Sequence, residues 1–373
     1  MLLPLDRTRL LEALALAETS FGLTEPNPRV GCILGHADGR VIGRGATQQA
    51  GGAHAEVMAL RDAAALGHST RGATAWVTLE PCAHHGRTPP CCDALVEAGI
   101  ARAVVAIGDP FPQVAGAGIA RLRAAGIEVV MADTELAAAA RAINIGFFSR
   151  VQRGRPWVRL KVAASLDGRT ALDDGSSQWI TSEAARADGH AWRRRASAVL
   201  TGIGTVLADD PRLDVRAVPT VLQPLRVVVD SQLRTPPTAR LLDPPGRGVI
   251  IASALEHPQR RAALEARGAE VWPHAGGAGR VALPALLAAL AERGINELHV
   301  EAGPQLNAAL QAAGLVDEWL VYLAPKLIGP GRGMAALPPL AALADAPALR
   351  FIESTMIGSD LRLRALGAPG LAF

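Results

Sequence analysis

The sequence predicts an α/β protein of two domains, and three observations carry this. The chain has 373 residues, about twice the ~100–200 typical of one domain. Apolar, β-branched runs alternate with Ala/Leu-rich stretches along its length, the pattern of strands feeding helices. The alternation is interrupted at Ser149-Arg-Val-Gln-Arg-Gly-Arg-Pro156, a basic segment with a Gly and a Pro that leads into a new strand. Domains are therefore expected at 1–149 and 150–373.

Each element follows from its local pattern. Leu5, Leu10, Leu14 and Leu16 suit an amphipathic surface helix over 5–20. Strands are expected over 29–34 and 40–46, then a helix over 54–66. A strand over 73–79, a helix over 91–98 and a strand over 102–107 come next. The first half closes with a helix over 116–125, a strand over 127–131 and a helix over 134–146. The second half restarts with a strand over 157–164, a polar loop, a helix over 183–195 and a strand over 197–201. Further strands are expected at 225–229, 247–252, 297–301 and 317–324, with helices near 258–267, 281–293 and 303–312. The Pro/Ala-rich stretch 335–348 reads as a surface loop with a short helix. No repeat at a fixed period is present.

Composition excludes several classes. Apolar residues make up 49% and charged residues 20%, a globular balance rather than a disordered one. Of 38 Lys+Arg only Lys161 and Lys326 are lysine, and against 35 acids the net charge is +3. That balance, with aromatics at 3% and Tyr322 the single tyrosine, argues against a nucleic-acid partner. Asp6, Arg7, Arg9 and Glu12 interrupt the N-terminal stretch, so it lacks a signal-peptide core. No apolar run of membrane-spanning length occurs. Four cysteines cannot form a disulfide framework in so long a chain, and a cytoplasmic location is expected.

The cysteines point to a metal instead. All four, Cys32, Cys82, Cys91 and Cys92, lie in the first half. His54-Ala-Glu56 opens a helical run, and Cys82 and Cys91 bracket Pro81-Cys-Ala-His-His-Gly-Arg-Thr-Pro-Pro-Cys91. One imidazole and two thiolates give three zinc ligands, and a catalytic zinc keeps its fourth position for water. Such water ionises near pH ~7, and Glu56 is the natural shuttle from it to a leaving amine. H-x-E followed by P-C-x-x-C marks zinc nucleobase deaminases; here the second part is stretched. His54 and Glu56 would point ~200° apart on a regular helix at 3.6 residues per turn, so they must sit at an irregular helix start. The competing reading is a closed zinc knuckle with Cys92, His84 or His85 as fourth ligand, which leaves Glu56 without a task. Cys32 reads as core, and His36, His68 and His190 as surface residues.

These residues, with Pro26-Asn-Pro-Arg-Val-Gly-Cys32 and Thr78-Leu-Glu-Pro-Cys82, resemble the bifunctional riboflavin-biosynthesis deaminase–reductase family. The widened Cys82–Cys91 spacing is characteristic of that family. Asp109-Pro, Gln113-Val-Ala-Gly116, Ala164-Ser-Leu-Asp-Gly-Arg-Thr170, Ser177-Gln-Trp-Ile-Thr181, Thr205-Val-Leu-Ala-Asp-Asp-Pro211, Val229-Asp-Ser231 and Val300-Glu-Ala-Gly-Pro304 extend the match from about residue 8 to 366. The resemblance implies a cytidine-deaminase-like three-layer α/β/α domain, then a dihydrofolate-reductase-like α/β domain. It implies zinc-dependent deamination of 2,5-diamino-6-(5-phosphoribosylamino)pyrimidin-4-one, then NADPH-dependent reduction of the ribosyl group to ribityl. It also implies a homo-oligomer, dimer or tetramer.

The second half carries no G-x-G-x-x-G, so a standard dinucleotide fingerprint is absent. Glu301-Ala-Gly303-Pro304, where a strand meets a helix, is a turn whose backbone N–H groups could hold a phosphate. By resemblance the cofactor contacts are Ala163, Trp179, Thr205, Asp209, Ser231, Gly303, Pro304, Gln305, Leu306, Asn307, Ala308 and Ala309. The substrate contacts are Ser177, Arg193, Leu213, Arg216 and Glu301. Arg193 and Arg216 are chemically apt as phosphate forks. Two rivals remain: another zinc nucleobase or nucleoside deaminase with a degenerate second domain, and a zinc-stabilised binding module.

Overall fold

The structure, a computed structural model, describes residues 2–83, 89–111, 115–243 and 246–373. They pack as two compact units, the first running to Arg153 and the second from Gly154.

The first unit holds α1 (Pro4–Glu18), β1 (Gly31–Gly35), β2 (Val41–Ala46), α2 (Ala55–Ala65), β3 (Thr74–Val77), α3 (Cys91–Glu97), β4 (Arg102–Val105), α4 (Ala117–Ala124), β5 (Glu128–Met131), α5 (Thr134–Ile143) and α6 (Ile145–Arg153). Its sheet is mixed, in the order β2-β1-β3-β4-β5. β1 is antiparallel to β2 and β3, and β3, β4 and β5 run parallel. Successive side chains of a strand face opposite ways. Ile33 and Trp76 accordingly join Leu10, Ala13, Leu14 and Ala17 of α1 and Leu136, Ala140 and Ile143 of α5 in one core. Asp6 is buried there and takes Trp76 Nε1 at 2.8 Å and Arg102 Nη2 at 2.8 Å. Helix α2 lies on the other face, along β2. A Cβ at Gly43 would meet Ala59 O at 2.3 Å, so glycine lets the helix backbone touch the strand.

The basic segment expected to mark the domain boundary is helical up to Arg153. Phe147, Phe148 and Ser149 are buried on α6, and the helix stops where Gly154 takes a φ of 64°. The two phenylalanines on the buried face carry the helix into this arginine-rich segment.

The second unit holds β6 (Trp157–Ser165), β7 (Arg169–Ala171), α7 (Glu183–Arg195), β8 (Ala198–Gly202), α8 (Ile203–Asp209), β9 (Leu225–Val229), β10 (Val249–Ser253), α9 (Pro258–Glu265), β11 (Ala269–Pro273), α10 (Leu283–Glu292), β12 (Glu297–Val300), α11 (Pro304–Ala312), β13 (Glu318–Ala324), β14 (Arg332–Gly333), β15 (Arg350–Ile357), β16 (Asp360–Leu366) and α12 (Ala368–Leu371). The main sheet runs β11-β10-β9-β8-β12-β6-β13-β16-β15. From β11 to β13 all neighbours are parallel; β16 and β15 close one edge antiparallel. Leu160, Leu200, Val227, Ile250, Leu298 and Val300 build its core with Leu286, Leu290 and Leu310 from the helices.

Strands β7, β11, β14, β15 and β16 and helices α8 and α12 go beyond the sequence expectation. β16 does alternate, Leu361, Leu363 and Ala365 against Arg362 and Arg364, but charged residues mask the pattern. Those arginines are taken up by Asp188, Glu353 and Glu318. Residues 335–348 are largely exposed with one 3₁₀ turn at Leu343–Asp345, close to the expected loop.

Candidate active sites

The first site is assembled at two helix starts. His54 is the N-cap of α2, with extended backbone at φ −77° and ψ 169°, and Glu56 lies in the first helical turn. This is the irregular helix start that the His54–Glu56 spacing requires. Gly45 holds it against the sheet: a Cβ there would lie 2.1 Å from Ala55 O. Cys91 is the first residue of α3, and Cys82 sits in the segment after β3. The Cys91 N–H donates to Cys82 Sγ at 3.3 Å, and the Cys92 N–H to Cys82 O at 3.2 Å.

His54 Nδ1 lies 3.6 Å from Cys82 Sγ and 3.2 Å from Cys91 Sγ, and the three ligand atoms all fall within 4.8 Å of one another. Tetrahedral zinc with Zn–N near ~2.05 Å and Zn–S near ~2.3 Å separates N and S ligands by roughly 3.6 Å. The donor set and its spacing therefore fit zinc. Among the described residues no fourth protein ligand joins the group. Cys92 turns away, with Sγ 3.7 Å from Asp93 Oδ1. His84 and His85, and Gln113 and Val114 of the family motif, lie outside the described residues.

Glu56 is buried beside the ligands. Burial, and then the negative charge of Cys82, raise its carboxyl to about 6. Hydrogen bonding from Cys91 and then His54 pulls the Cys82 thiol down to about 4, while Cys82 and burial push Cys91 up. Cys32 is wholly buried on β1.

Glu80, which the sequence reading passed over, organises the neighbouring loop. Its carboxylate accepts four backbone N–H groups: Asp109 and Gly116 at Oε2, Gly118 and Ile119 at Oε1, at 3.0–3.2 Å. Gly118 is packed so closely that a Cβ would meet Pro81 O at 1.9 Å. Asp109 is pushed up to about 6, chiefly by burial and then by Glu80 and Cys82. The only sequence signal was Glu80's place two residues before a metal ligand.

The second site is a cleft of about 1060 Å³. It opens beyond the C-terminal ends of β8, β9 and β12 and along β6, where ligands of open parallel sheets bind. The strand order reverses there, since β12 inserts between β8 and β6. Ala163, Trp179, Thr205, Asp209, Gly303, Pro304, Gln305, Leu306 and Asn307 line it, as do Ser177, Arg193, Leu213, Arg216 and Glu301. Ala308 and Ala309 do not line it, because α11 turns them away after its first turn. Ser231 lines an adjoining recess instead.

Glu301 follows β12 and is forked by Arg193, whose Nε bonds Oε1 and whose Nη2 bonds Oε2 at 2.9 Å. Arg193 Nη1 also donates to Asp214 O at 2.9 Å. Arg193, expected as a substrate-phosphate contact, thus reaches the cleft lining with three of its donors on protein oxygens. Arg216 bonds Asp214 through Nη1 but is 54% exposed, so its remaining donors face solvent. Burial works against the Glu301 charge, yet Arg193 outweighs it and holds the carboxyl well below its usual range. His299 Nε2 stands 3.4 Å from Glu301 Oε1.

His190, expected at the surface, is buried. Its Nδ1 accepts the Arg216 N–H at 3.3 Å. Burial, then Arg193 and Arg216, lower it to about 4, so it is neutral at pH 7. Trp179 is 62% exposed, with the Arg186 guanidinium 4.6 Å from its ring centre. Lys161, at the buried strand beside Ala163, lines the cleft too; Arg332 and Met334 line it without having been singled out, and Gly329-Pro-Gly-Arg332-Gly was the available turn signal.

Comparison with known proteins follows the same division. Residues 5–107 match the cytidine and deoxycytidylate deaminase zinc-binding region, and residues 156–363 the RibD C-terminal domain. The chain is 45% identical over 376 residues to riboflavin biosynthesis protein RibD of Escherichia coli (strain K12), covering 97% of this chain and all of that one. Acinetobacter baumannii RibD, form 1, superposes with a TM-score of 0.88 at 40% identity, covering 98% of this chain and 99% of that one. A Thermotoga maritima diaminohydroxyphosphoribosylaminopyrimidine deaminase/5-amino-6-(5-phosphoribosylamino)uracil reductase superposes at 0.86 with 31% identity, covering 98% and 99%.

Proposed function

Because the chain belongs to the RibD family of riboflavin-biosynthesis proteins, we propose how its two sites divide the family's two reactions. The chain is a bifunctional deaminase and reductase of riboflavin biosynthesis. Residues 1–149 deaminate 2,5-diamino-6-(5-phosphoribosylamino)pyrimidin-4-one, and residues 150–373 reduce the ribosyl group of 5-amino-6-(5-phosphoribosylamino)uracil. The observation that carries this is the convergence of His54, Cys82 and Cys91 beside the buried Glu56.

His54 Nδ1 and the Sγ atoms of Cys82 and Cys91 would hold zinc, which when bound would make a water acidic enough to serve as nucleophile at neutral pH. Glu56 takes the proton from that water at a carboxylate oxygen and delivers it to the departing amine. Glu80 fixes the loop that carries Asp109, whose carboxyl feels the Cys82 charge.

The cleft of the second unit holds NADPH, which when bound supplies a hydride. Gly303–Asn307 open α11 toward the cofactor, and Thr205, Asp209, Trp179, Ala163 and Ser231 complete its contacts. Glu301, fixed by Arg193, meets the substrate hydroxyls, and Ser177 and Leu213 flank it. Arg216 takes the substrate phosphate through its outward donors. Arg193 is a positioning residue.

The chain acts in the cytoplasm as a homo-oligomer. The edge strand β15, with Phe351 68% and Met356 60% exposed, supports self-association. Among the described residues no helix is long and apolar enough to cross a membrane.

The test is a two-stage assay of the full-length chain loaded with zinc. Ammonia release from the diaminopyrimidine phosphate should proceed without NADPH. NADPH oxidation should then match the ammonia released, mole for mole. Ammonia release with no subsequent NADPH oxidation would favour the rival in which the second unit is degenerate.

A further inference from the structure

Glu297 and His299 of β12, and Glu301 just after it, occupy alternate positions, so they project to one side of the sheet. The strand lies between β8 and β6, away from either sheet edge. Both carboxylates are met by arginines: Glu297 takes Arg159 and Arg195, each at 2.8 Å, and Glu301 takes the fork of Arg193. His299 stands between the two acids. We propose that His299 is a positioning residue for the reductase reaction: its Nε2–H closes on Glu301 Oε1 and leaves Oε2 as the acceptor for a ribosyl hydroxyl of the substrate. The inference rests on the assignment of Glu301 as a substrate contact.

The imidazole is 0% exposed, and neither ring nitrogen makes a hydrogen bond among the described residues. Its Nε2 lies 3.4 Å from Glu301 Oε1, beyond the roughly 2.7–3.2 Å of a formed N–H···O bond. A buried polar group without a bond is costly and rare in folded proteins. An apolar side chain would suit a purely structural position better. This one stands instead beside a carboxylate that lines the cleft with 16% of its side chain exposed.

The lone pairs of Glu301 give the imidazole its task. A carboxylate offers about four acceptor sites, two on each oxygen. Arg193 takes one on each: Nε on Oε1, and Nη2 on Oε2 at 2.9 Å. His299 faces the second site of Oε1, and the second site of Oε2 is left for a hydroxyl. Elsewhere the residue is already fixed. The Glu301 N–H donates to Leu200 O at 2.8 Å, the Thr201 hydroxyl donates to Glu301 O at 2.7 Å, and Arg193 is itself tied to Asp214 O. Rotation of the carboxylate on its stem is the freedom that a donor at Oε1 removes.

Charge and direction come from different groups. Burial opposes the Glu301 charge; Arg193, then His299 and Lys161, outweigh it. Burial also lowers His299, so the ring is neutral at pH 7. A neutral imidazole has one N–H, and the carboxylate opposite Nε2 places it there. His299 thus adds a directed donor without a further charge.

The experiment is steady-state reductase kinetics of the full-length protein with 5-amino-6-(5-phosphoribosylamino)uracil. The variants are His299→Leu, His299→Gln, His299→Asn, Glu301→Gln and the double variant His299→Leu/Glu301→Gln. Deaminase turnover, NADPH affinity and the urea midpoint are measured for each. His299→Leu should unfold at or above the wild-type midpoint and keep deaminase turnover and NADPH affinity. Its KM should rise about tenfold, the worth of one hydrogen bond to a charged group, with kcat within roughly threefold of wild type. His299→Gln, with N–H donors at the depth of Nε2, should restore most of the KM. His299→Asn, with donors at the depth of Nδ1, should not. In the Glu301→Gln background, His299→Leu should add no further rise, because the two residues act as one unit. A wild-type KM in His299→Leu beside an impaired Glu301→Gln overturns the proposal. So do equal effects of Gln and Asn, additive effects in the double variant, or a joint fall of midpoint and deaminase turnover in His299→Leu, which marks a structural role. Wild-type kinetics in Glu301→Gln fail the assignment of Glu301 itself, and this inference with it.

Discussion

Glu56 shows how a single residue acquires chemistry from its surroundings. It is an acid in the first turn of α2, a place where carboxylates are common because the helix N-terminus favours negative charge. What sets it apart is burial beside three candidate metal ligands. Glu56→Gln preserves the shape and removes the proton acceptor. The variant should retain zinc by metal analysis and lose deamination by ~10²–10⁴. It should still reduce the pre-deaminated substrate. Full deaminase turnover in a zinc-loaded variant would sink the shuttle role. The zinc trio and Glu56 were legible in sequence because their residue types are rare and their motif is local. Glu80 and the true employment of Arg193 were not, because both are defined by partners far along the chain, Gly118 and Glu301.

At the scale of elements, close approach of helix to strand decides where the metal ligands stand. Gly43 and Gly45 on β2 face α2, and at Gly45 a Cβ would overlap the Ala55 carbonyl at 2.1 Å. Neither glycine has a positive φ, so the requirement is space rather than backbone conformation. Gly45→Ala should lift the first turn of α2 and with it His54. We expect a loss of about 1–3 kcal/mol, typical of overpacking, by urea unfolding, together with weaker zinc retention against a chelator. A variant as stable and as zinc-retentive as wild type would show that the helix can shift without cost. Strands rich in Val, Ile and Leu, such as β9 and β10, announced themselves in sequence. The β15–β16 hairpin did not, since its arginines and glutamates meet only when the strands pair and Arg364 reaches Glu353 and Glu318.

At the scale of the molecule, an ionic network sits inside the large sheet. Arg159, 0% exposed, bonds Glu297 at 2.8 Å and Glu318 at 3.0 Å, with its guanidinium carbon 4.5 Å from the Trp192 ring centre. Burial opposes the charge on Glu318, but Arg159 and Arg364 outweigh it and hold the carboxyl at about 2, against an ordinary 4.5. A depressed carboxyl contributes stability that is whole above pH 4.5 and is lost as pH falls toward 2. Urea midpoints for the second unit's transition should therefore drop across that window. Glu318→Gln should be less stable at pH 7, by less than the roughly 3–5 kcal/mol of a fully broken buried pair, because Arg159 keeps Glu297 and Arg364 keeps Glu353, and its acid decline should be shallower. Parallel pH profiles for the two proteins would remove Glu318 as the cause.

The sequence by itself determined the α/β class, through local periodicity, and brought out His54, Glu56, Cys82 and Cys91 as candidates, through residue chemistry. The residues expected at the reductase cleft came with the family resemblance of short motifs, not from periodicity. Tertiary structure alone decided that α6 runs on to Arg153, that Arg193 serves Glu301, that His190 is buried, and that Arg234 and Arg280 share one recess. Each of these depends on which distant segments come together, and burial and pairing are properties of that meeting rather than of any stretch of chain.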